Sequence, residues 1–567
     1  MCRLTRMGTW RHSRGDCSVD TSLASVGGVP GIYGSCGVSG GNPLEATAQA
    51  LQHFAWHVRP PPTSMGPVRG GCVALGAPFP TARTVEVRGA IAWIHGELYG
   101  TSDVELVEAM FARDAGPRLA RINGNYAIAA WHPERQLLRL ATDRLGLRHL
   151  YWARSGRGVV WASEAKACAL ALPSVELRSE APRELVEVGH LRGLGTWFVG
   201  VELMPPATLL ELELSTERVS SERYWAWPAS PPSLPDAEVS RITRRLAERW
   251  QEIHEMYTQL PGRSMLTLSG GLDSRAILAA FRAARGEPGL VTFGRPACLD
   301  VTIARETAAA AGLPHVWCEL SGENWLDDRE EATWITDGEF DLRHMHVVRC
   351  LPRCREVGDV ALNGFLGDAL IGGGYLSPRW TTEERYRERG RRFISGGTRL
   401  GESYLLHRLP FCDNEMVELS LALPEQLRRG AAYYRRFLVT QYPGLFARIG
   451  HTPHGARLSA NVVTRTVSAA SHWLRDRYDY HAYARWVTEP SVAARLEPHL
   501  DPSRARFVDV VDEQVWAGPV RRWRARRGRR SLGARDCDLV LRFVGIDIWL
   551  QHVARRMGAR ATQRDAA

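Results

Sequence analysis

Residues 266–274 read Leu-Thr-Leu-Ser-Gly-Gly-Leu-Asp-Ser, and these types in this order suit one kind of chemistry. The apolar run 265–268 predicts a short strand, which breaks at Ser269, Gly270 and Gly271 before a buried helix over 275–284. A strand that turns through glycines into a helix offers backbone N–H groups and a positive helix end to an anion. Gly270 and Gly271 let the backbone come close, because no Cβ intervenes. Ser269 and Ser274 add hydroxyl donors. Asp273 fits a phosphate site only if a cation lies between the two anions, and Mg2+ takes a few carboxylates together with phosphate oxygens and water. The stretch therefore predicts a site for a nucleotide pyrophosphate, although the lysine of the common nucleoside-triphosphate loop is missing. A bare Gly-Gly would be an ordinary turn, and it is the pattern downstream that supports more.

That pattern is a succession of strands and helices. A charged helix over 242–256 precedes the motif strand. A strand at 290–293 leads to a helix over 301–311 that stops at Gly312, and further strands follow at 316–320 and 360–362. Such alternation predicts an α/β domain with a doubly wound parallel sheet and a ligand at the carboxyl ends of its strands. Residues 363–375, Asn-Gly-Phe-Leu-Gly-Asp-Ala-Leu-Ile-Gly-Gly-Gly-Tyr, follow the fourth strand as the Ser269 loop follows the first. If those strands are neighbours, Asp368 faces Asp273 across the crevice and the two hold Mg2+ on the pyrophosphate. Gly364, Gly367 and Gly372 to Gly374 permit the close approach.

Ahead of this lies a different texture. Between about residues 31 and 214 short strands alternate with Gly and Pro turns, at 84–87, 90–94, 126–131, 137–141, 158–162 and 207–212, with an amphipathic helix over 104–112. The pattern predicts a layered, β-rich domain. Residues 1–28 are polar, have no apolar period and lack a signal-peptide core, so they read as a disordered arm or a misplaced start. Domains are thus expected at 29–225 and 235–560. The 567 residues, 44% hydrophobic and 24% charged, exclude a disordered chain, and no apolar run reaches membrane-spanning length. The net charge of +10 comes almost wholly from arginine spread along the chain, Lys166 being the only lysine, so neither nucleic acid nor membrane is expected as a partner. Eleven scattered cysteines without a CxxC pair argue against zinc and for a reducing cytoplasm. The densest charge, at 521–530, reads as a solvated face.

Residues 268–274 resemble the loop of the ATP pyrophosphatases, which split ATP between the α and β phosphates. HGELYG (95–100), INGNYAIAAWH with DRLGLRHLYW (122–132 and 143–152) and ASEAKA (162–167) resemble the glutaminase domain of asparagine synthetase-type amidotransferases. That likeness implies an αββα sandwich of the N-terminal-nucleophile type. GTWFVGVELMPPATLLEL (195–212) and RYW (223–225) resemble the exit into the synthetase domain. The family's implied roles fall on Asp273 and Asp368 as catalytic metal ligands. Its nucleotide contacts fall on Leu268, Ser269, Gly270, Gly271, Leu272, Asp273, Ser274, Phe293, Asn363 and Gly364, with ATP and Mg2+ as cofactors. The helical part, 408–430 and 433–449, carries a Pro-Phe-x-Asp segment at 410–413, but the lysine expected after it is absent, with Arg435, Arg436, Arg448, His451 and Arg457 as possible substitutes. Asp337, His344 and His346 either line a substrate pocket or satisfy local hydrogen bonds.

The departures are informative. Such glutaminases begin with a cysteine before the Gly-Ile of their first strand, whereas Pro30 precedes Gly31 here, and His95 stands where they carry asparagine. Cys36 cannot supply the free α-amine that activates the thiol, so the glutaminase is expected to be lost and its scaffold kept. Ala369 and Phe365 also depart from the synthetase pattern. Within the family, the chain most resembles a lasso-peptide macrolactam synthetase. Such an enzyme adenylates an Asp or Glu side chain of a precursor peptide, whose α-amine then closes the ring. The partners implied are that precursor peptide, a leader-binding protein and a leader peptidase. An ammonia-dependent asparagine synthetase, a β-lactam synthetase-like ligase and a non-catalytic homologue are the alternatives.

Overall fold

The computed structural model describes residues 30–38, 44–76, 81–474, 479–529, 531–558 and the backbone of 561–563. Residues 1–28 and Arg530 lie outside them. The first domain stacks two antiparallel sheets. One has the strand order Glu202–Leu203, Tyr151–Ser155, Gly158–Ala162, Gly31–Cys36, Val68–Leu75, His57–Val58, with Thr63–Met65 also paired to Val68–Leu75. The other runs Arg218–Arg223, Thr208–Glu213, Leu137–Thr142, Gly124–His132, Ala90–Leu98, Ala82–Val87. Inward-pointing Ile32, Trp93, Trp131 and Trp161 fill the space between them. Helices Leu44–Leu51 and Ala165–Leu170 cover one outer face, and Asp103–Phe111 and Ala115–Leu119 the other. Ser102 and Glu105 close a reciprocal capping box at the start of Asp103–Phe111. The result is the αββα sandwich.

The second domain is built on a parallel sheet in the order His315–Glu319, Gly289–Gly294, Ser264–Thr267, Val360–Leu362, Leu406–Arg408. Chain order reverses between the third and fourth of these, which makes that gap the switch point. Helix Leu272–Ala283 leaves the motif strand, and helix Leu299–Ala311 ends at Gly312 in the left-handed region, φ 67°. The fifth strand, Leu-His-Arg at 406–408, was not foreseen, because three residues carry no readable period. No helix among the described residues is long and apolar enough to cross a membrane. The arginine-rich helix Glu513–Arg526 has a solvated face whose charges pair with Glu497 and Asp536.

The two domains share a core. Trp197 and Phe198 of the first pack on Trp549 of the long helix Ala534–Met557, and Trp334 packs there too. Arginines stitch the rest. Residues Tyr386–Ile394 form a π-helical segment whose Arg391 donates to the carbonyls of Gly146 and Met204, at 2.9 and 2.6 Å. Arg392 donates to those of Leu191 and Gly195, at 3.1 and 2.8 Å. Buried Arg408 forks onto Glu97 at 3.0 and 2.9 Å, and Arg148 pairs with Glu402. Lys166 is wholly buried against Glu164 and Asp337, over the Trp334 ring. Breaking a buried pair leaves a charge that nothing neutralises, so Lys166→Met should lower unfolding free energy by about 3–5 kcal/mol, measured by urea denaturation.

Candidate functional site

The motif strand and Val360–Leu362 pair in parallel, Ser264 opposite Val360, so their two loops leave the same sheet edge side by side. Asp273 lies in the first turn of helix Leu272–Ala283, and Asp368 lies on the short helix Gly367–Leu370. The Asp368 N–H donates to Asp273 Oδ2 at 3.0 Å, and Tyr434 O–H donates to Oδ1 at 2.9 Å. Glycine is required for this approach: a Cβ on Gly367 would lie 2.5 Å from Asp273 Cγ, and one on Gly364 2.8 Å from its Cβ. Similarly, a Cβ on Gly372 or Gly374 would sit 2.4 Å from an Asp368 carboxylate oxygen. Burial pushes the Asp273 carboxyl up to about 7, with Asp368 adding to the rise against the Tyr434 and Asp368 N–H bonds. Burial also raises Asp368, opposed by the Arg435 charge. Two carboxylates made reluctant to ionise by burial, Asp273 also by the Asp368 charge, suit a divalent cation, which would remove these penalties. Among the described residues no cluster of three or more His, Cys, Asp and Glu side chains could hold a metal, so a cation here would complete its shell with phosphate oxygens and water.

The loop ahead departs from the expected cradle. Gly270 N–H is taken by Asp300 Oδ1 at 2.8 Å and Gly271 N–H by Ser269 Oγ at 3.2 Å, so these donors face protein acceptors here. Ser269 and Ser274 hydroxyls lie 3.1 Å apart. Leu268 is core, its carbonyl accepting from Thr292. Arg275, where the family has a small residue, points backwards onto the carbonyls of Gly271 and Gly450, its guanidinium over Phe446.

A cavity of about 830 Å3 opens at the switch point, lined by Ser269, Asp273, Ser274, Phe293, Asn363, Gly364 and Asp368 among the sequence-proposed residues. Leu268, Gly270, Gly271 and Leu272 do not line it. Asn363 orients the loop, accepting from Phe365 N–H at 2.9 Å and reaching Thr398 and His407. Phe293 stacks near His346, whose ring bonds the Arg343 carbonyl and Tyr480. His344 and His346 line the cavity, whereas Asp337 is sequestered with Lys166 and Arg399. Asp413 caps helix Asn414–Ala422 and pairs with Arg249. Among the candidates for the missing lysine, Arg435 approaches Asp368, His451 is tied to the Ala456 carbonyl, and Arg436 lines a different hollow beside Tyr433. Arg385 and Arg389, which do line the cavity, were missed, because nothing in an arginine-rich stretch marks which side chains face inward.

At the other site, Pro30 sits at the head of strand Gly31–Cys36, Ile32 N–H donates to Ser163 Oγ at 2.9 Å, and that hydroxyl lies 3.4 Å from His95 Nδ1. Cys36 closes the far end of the strand with its thiol pushed by burial to about 12.

Burial makes Asp273 hold its proton more tightly in the folded chain than in the unfolded one. The carboxyl titrates near 3.8 when unfolded and near 7 when folded, so the folded chain holds the extra proton between those values and loses stability as pH rises through them. Asp273→Asn should flatten that decline, read as denaturation midpoints between about pH 4 and pH 7. A divalent cation on this pair would require the ionised form, so any cation-dependent affinity should rise over the same interval and be lost in the variant.

Residues 84–225 match the glutamine amidotransferase domain, and residues 263–402 match asparagine synthase. The chain is similar to asparagine synthetase (glutamine-hydrolyzing) 1 of Bacillus subtilis, 24% identical over 48% of this chain and 43% of that protein. It is also similar to asparagine synthetase (glutamine-hydrolyzing) 3 of that organism, at 26% over 48% and 47%. A third relative is the carboxyethyl-arginine beta-lactam-synthase of Streptomyces clavuligerus, at 24% over 58% of this chain and 62% of that one. The chain spans under half the length of the two synthetases it matches. The two matches follow one another in the order of the two domains described above, amidotransferase on the layered sheets and synthase on the parallel sheet.

Proposed function

We propose that the protein is an ATP-dependent carbon–nitrogen ligase whose carboxyl and amine both come from one peptide, as in lasso-peptide macrolactam closure. The observation that carries the ligase reading is the Asp273–Asp368 pair at the switch point, joined by the Asp368 N–H and lining a cavity of about 830 Å3. Mg2+ held by this pair would neutralise the phosphate charge during adenylation. An acceptor carboxylate then attacks the α-phosphorus, pyrophosphate leaves, and the amine displaces AMP from the acyl carbon. Holding both ends of one chain in a single pocket makes the second step intramolecular.

Two features support a peptide over free aspartate. Pro30 occupies the place of the glutaminase nucleophile, which favours an amine brought by the substrate. Phe293, Phe340, Phe365, Tyr375 and Phe393 give the cavity an aromatic wall suited to apolar side chains. A leader-binding protein and a leader peptidase would prepare such a peptide in the cytoplasm. The greater reach of the beta-lactam-synthase similarity favours, as the second reading, a small carboxyethyl amino acid closed on its own amine.

With ATP, Mg2+ and a leader-free precursor peptide, the products should be AMP, pyrophosphate and a peptide lighter by one water. An N-terminally acetylated peptide should still release pyrophosphate but not cyclise, and an acceptor Asp→Asn or Glu→Gln peptide should do neither. AMP formation driven by free aspartate, or by a carboxyethyl amino acid, would transfer the assignment to the corresponding small-molecule ligase. No exchange with any acceptor would leave a non-catalytic homologue. Glutamine should release no glutamate above a blank, and release abolished by Cys36→Ala would restore the glutaminase.

A further inference from the structure

The charges around the cavity are unevenly satisfied. Its acidic members are Asp273 and Asp368, its guanidinium groups are Arg385 and Arg389, and its histidines His344, His346 and His407 are kept neutral by burial. Arg391, Arg392, Arg399 and Arg408 nearby are all bonded to protein acceptors. Among the described residues, Arg385 and Arg389 have no carboxylate partner. Arg385 Nε is buried without an acceptor, and so is the hydroxyl of Tyr375, a residue only 5% exposed. Arg389 lies over the Phe393 ring, 5.3 Å from its centroid.

These groups converge on Tyr375, whose hydroxyl feels the charges of Arg389 and Arg385 and, more weakly, that of Asp368. Tyr375 follows Gly374, whose backbone abuts the Asp368 carboxylate, and a Cβ on Gly390 would lie 2.9 Å from the Tyr375 hydroxyl. Donors buried without acceptors are costly, and an incoming anion is what would satisfy them. Other basic groups are spent elsewhere. Arg275 faces backbone carbonyls, Lys166 is locked against Glu164 and Asp337, and Arg435, whose charge reaches Asp368, donates to the Gly430 carbonyl at 2.7 Å and does not line the cavity.

We propose that Tyr375, Arg385 and Arg389 form an anion site beside Asp368 that takes the β- and γ-phosphoryl oxygens of ATP and then the pyrophosphate product. It rests on the nucleotide reading above and adds the groups that hold the leaving end. When the bond between the α-phosphorus and the bridging oxygen breaks, the electron pair stays on that oxygen. The two guanidinium groups stabilise the charge it gains, with the tyrosine hydroxyl as a further donor. They stand in for the absent lysine from a different element, the π-helical segment and the residue before it.

The test is calorimetric titration of the full chain with AMP, ATP and inorganic pyrophosphate, each with Mg2+, for the parent, Arg385→Gln, Arg389→Gln and Tyr375→Phe. Pyrophosphate and ATP should each bind roughly tenfold or more weakly in the arginine variants and about threefold more weakly in Tyr375→Phe, with AMP within about twofold of the parent. Arg389 is exposed, so its variant keeps the fold and isolates the effect. If the parent binds pyrophosphate and the arginine variants bind it equally well, or if AMP weakens as much as pyrophosphate, the site is misassigned while the nucleotide reading stands. If the parent binds neither ATP nor pyrophosphate, both fall.

Discussion

One hydrogen bond, from Asp368 N–H to Asp273 Oδ2, concentrates the constraint on which the rest of the second domain depends. It exists because Ser264–Thr267 and Val360–Leu362 are parallel neighbours at the point where the sheet order reverses. The two loops leave one edge of the sheet and meet above it. Gly364 and Gly367 are the steric condition of that meeting, since any side chain at either would collide with Asp273. The arrangement brings two carboxylates together under partial burial, which is unfavourable for the protein alone. A bound cation would turn that penalty into affinity.

The first domain contributes rigidity to this site. Its carbonyls at Gly146, Met204, Leu191 and Gly195 receive the guanidinium groups of one side of the π-helical segment. Three further residues of the segment, Arg389, Phe393 and Ile394, face the cavity. A π-helix has weaker internal bonding than an α-helix and persists where outside contacts hold it. Glu97, two residues beyond His95 on the same strand, is bound up by Arg408 from the fifth strand. These contacts place a structural demand on the sandwich that is independent of any chemistry within it.

Buried charge is handled differently in the two places. Lys166, Asp337 and Arg399 neutralise one another in a closed network with Glu164 and Glu339. Around the cavity, Asp368, Arg385 and Arg389 are left open to it. A closed network rigidifies, whereas open charges recognise a ligand.

Short-range pattern was enough for much of this. Apolar runs of strand length, the Gly312 stop and the glycine turns marked the alternating elements, because local burial and backbone conformation are written in neighbouring residues. The juxtaposition of Asp273 and Asp368 was legible too, since parallel adjacency forces two strand-end loops together. Tertiary structure alone decided the rest. The three-residue strand at 406–408 exists only by pairing with Val360–Leu362. Asp300 captures the Gly270 N–H from 30 residues away, and Lys166 meets Asp337 across 171. Which arginines point into the cavity depends on the helical phase of one segment clamped between two domains. Such contacts join positions far apart in the chain, and no local period encodes them.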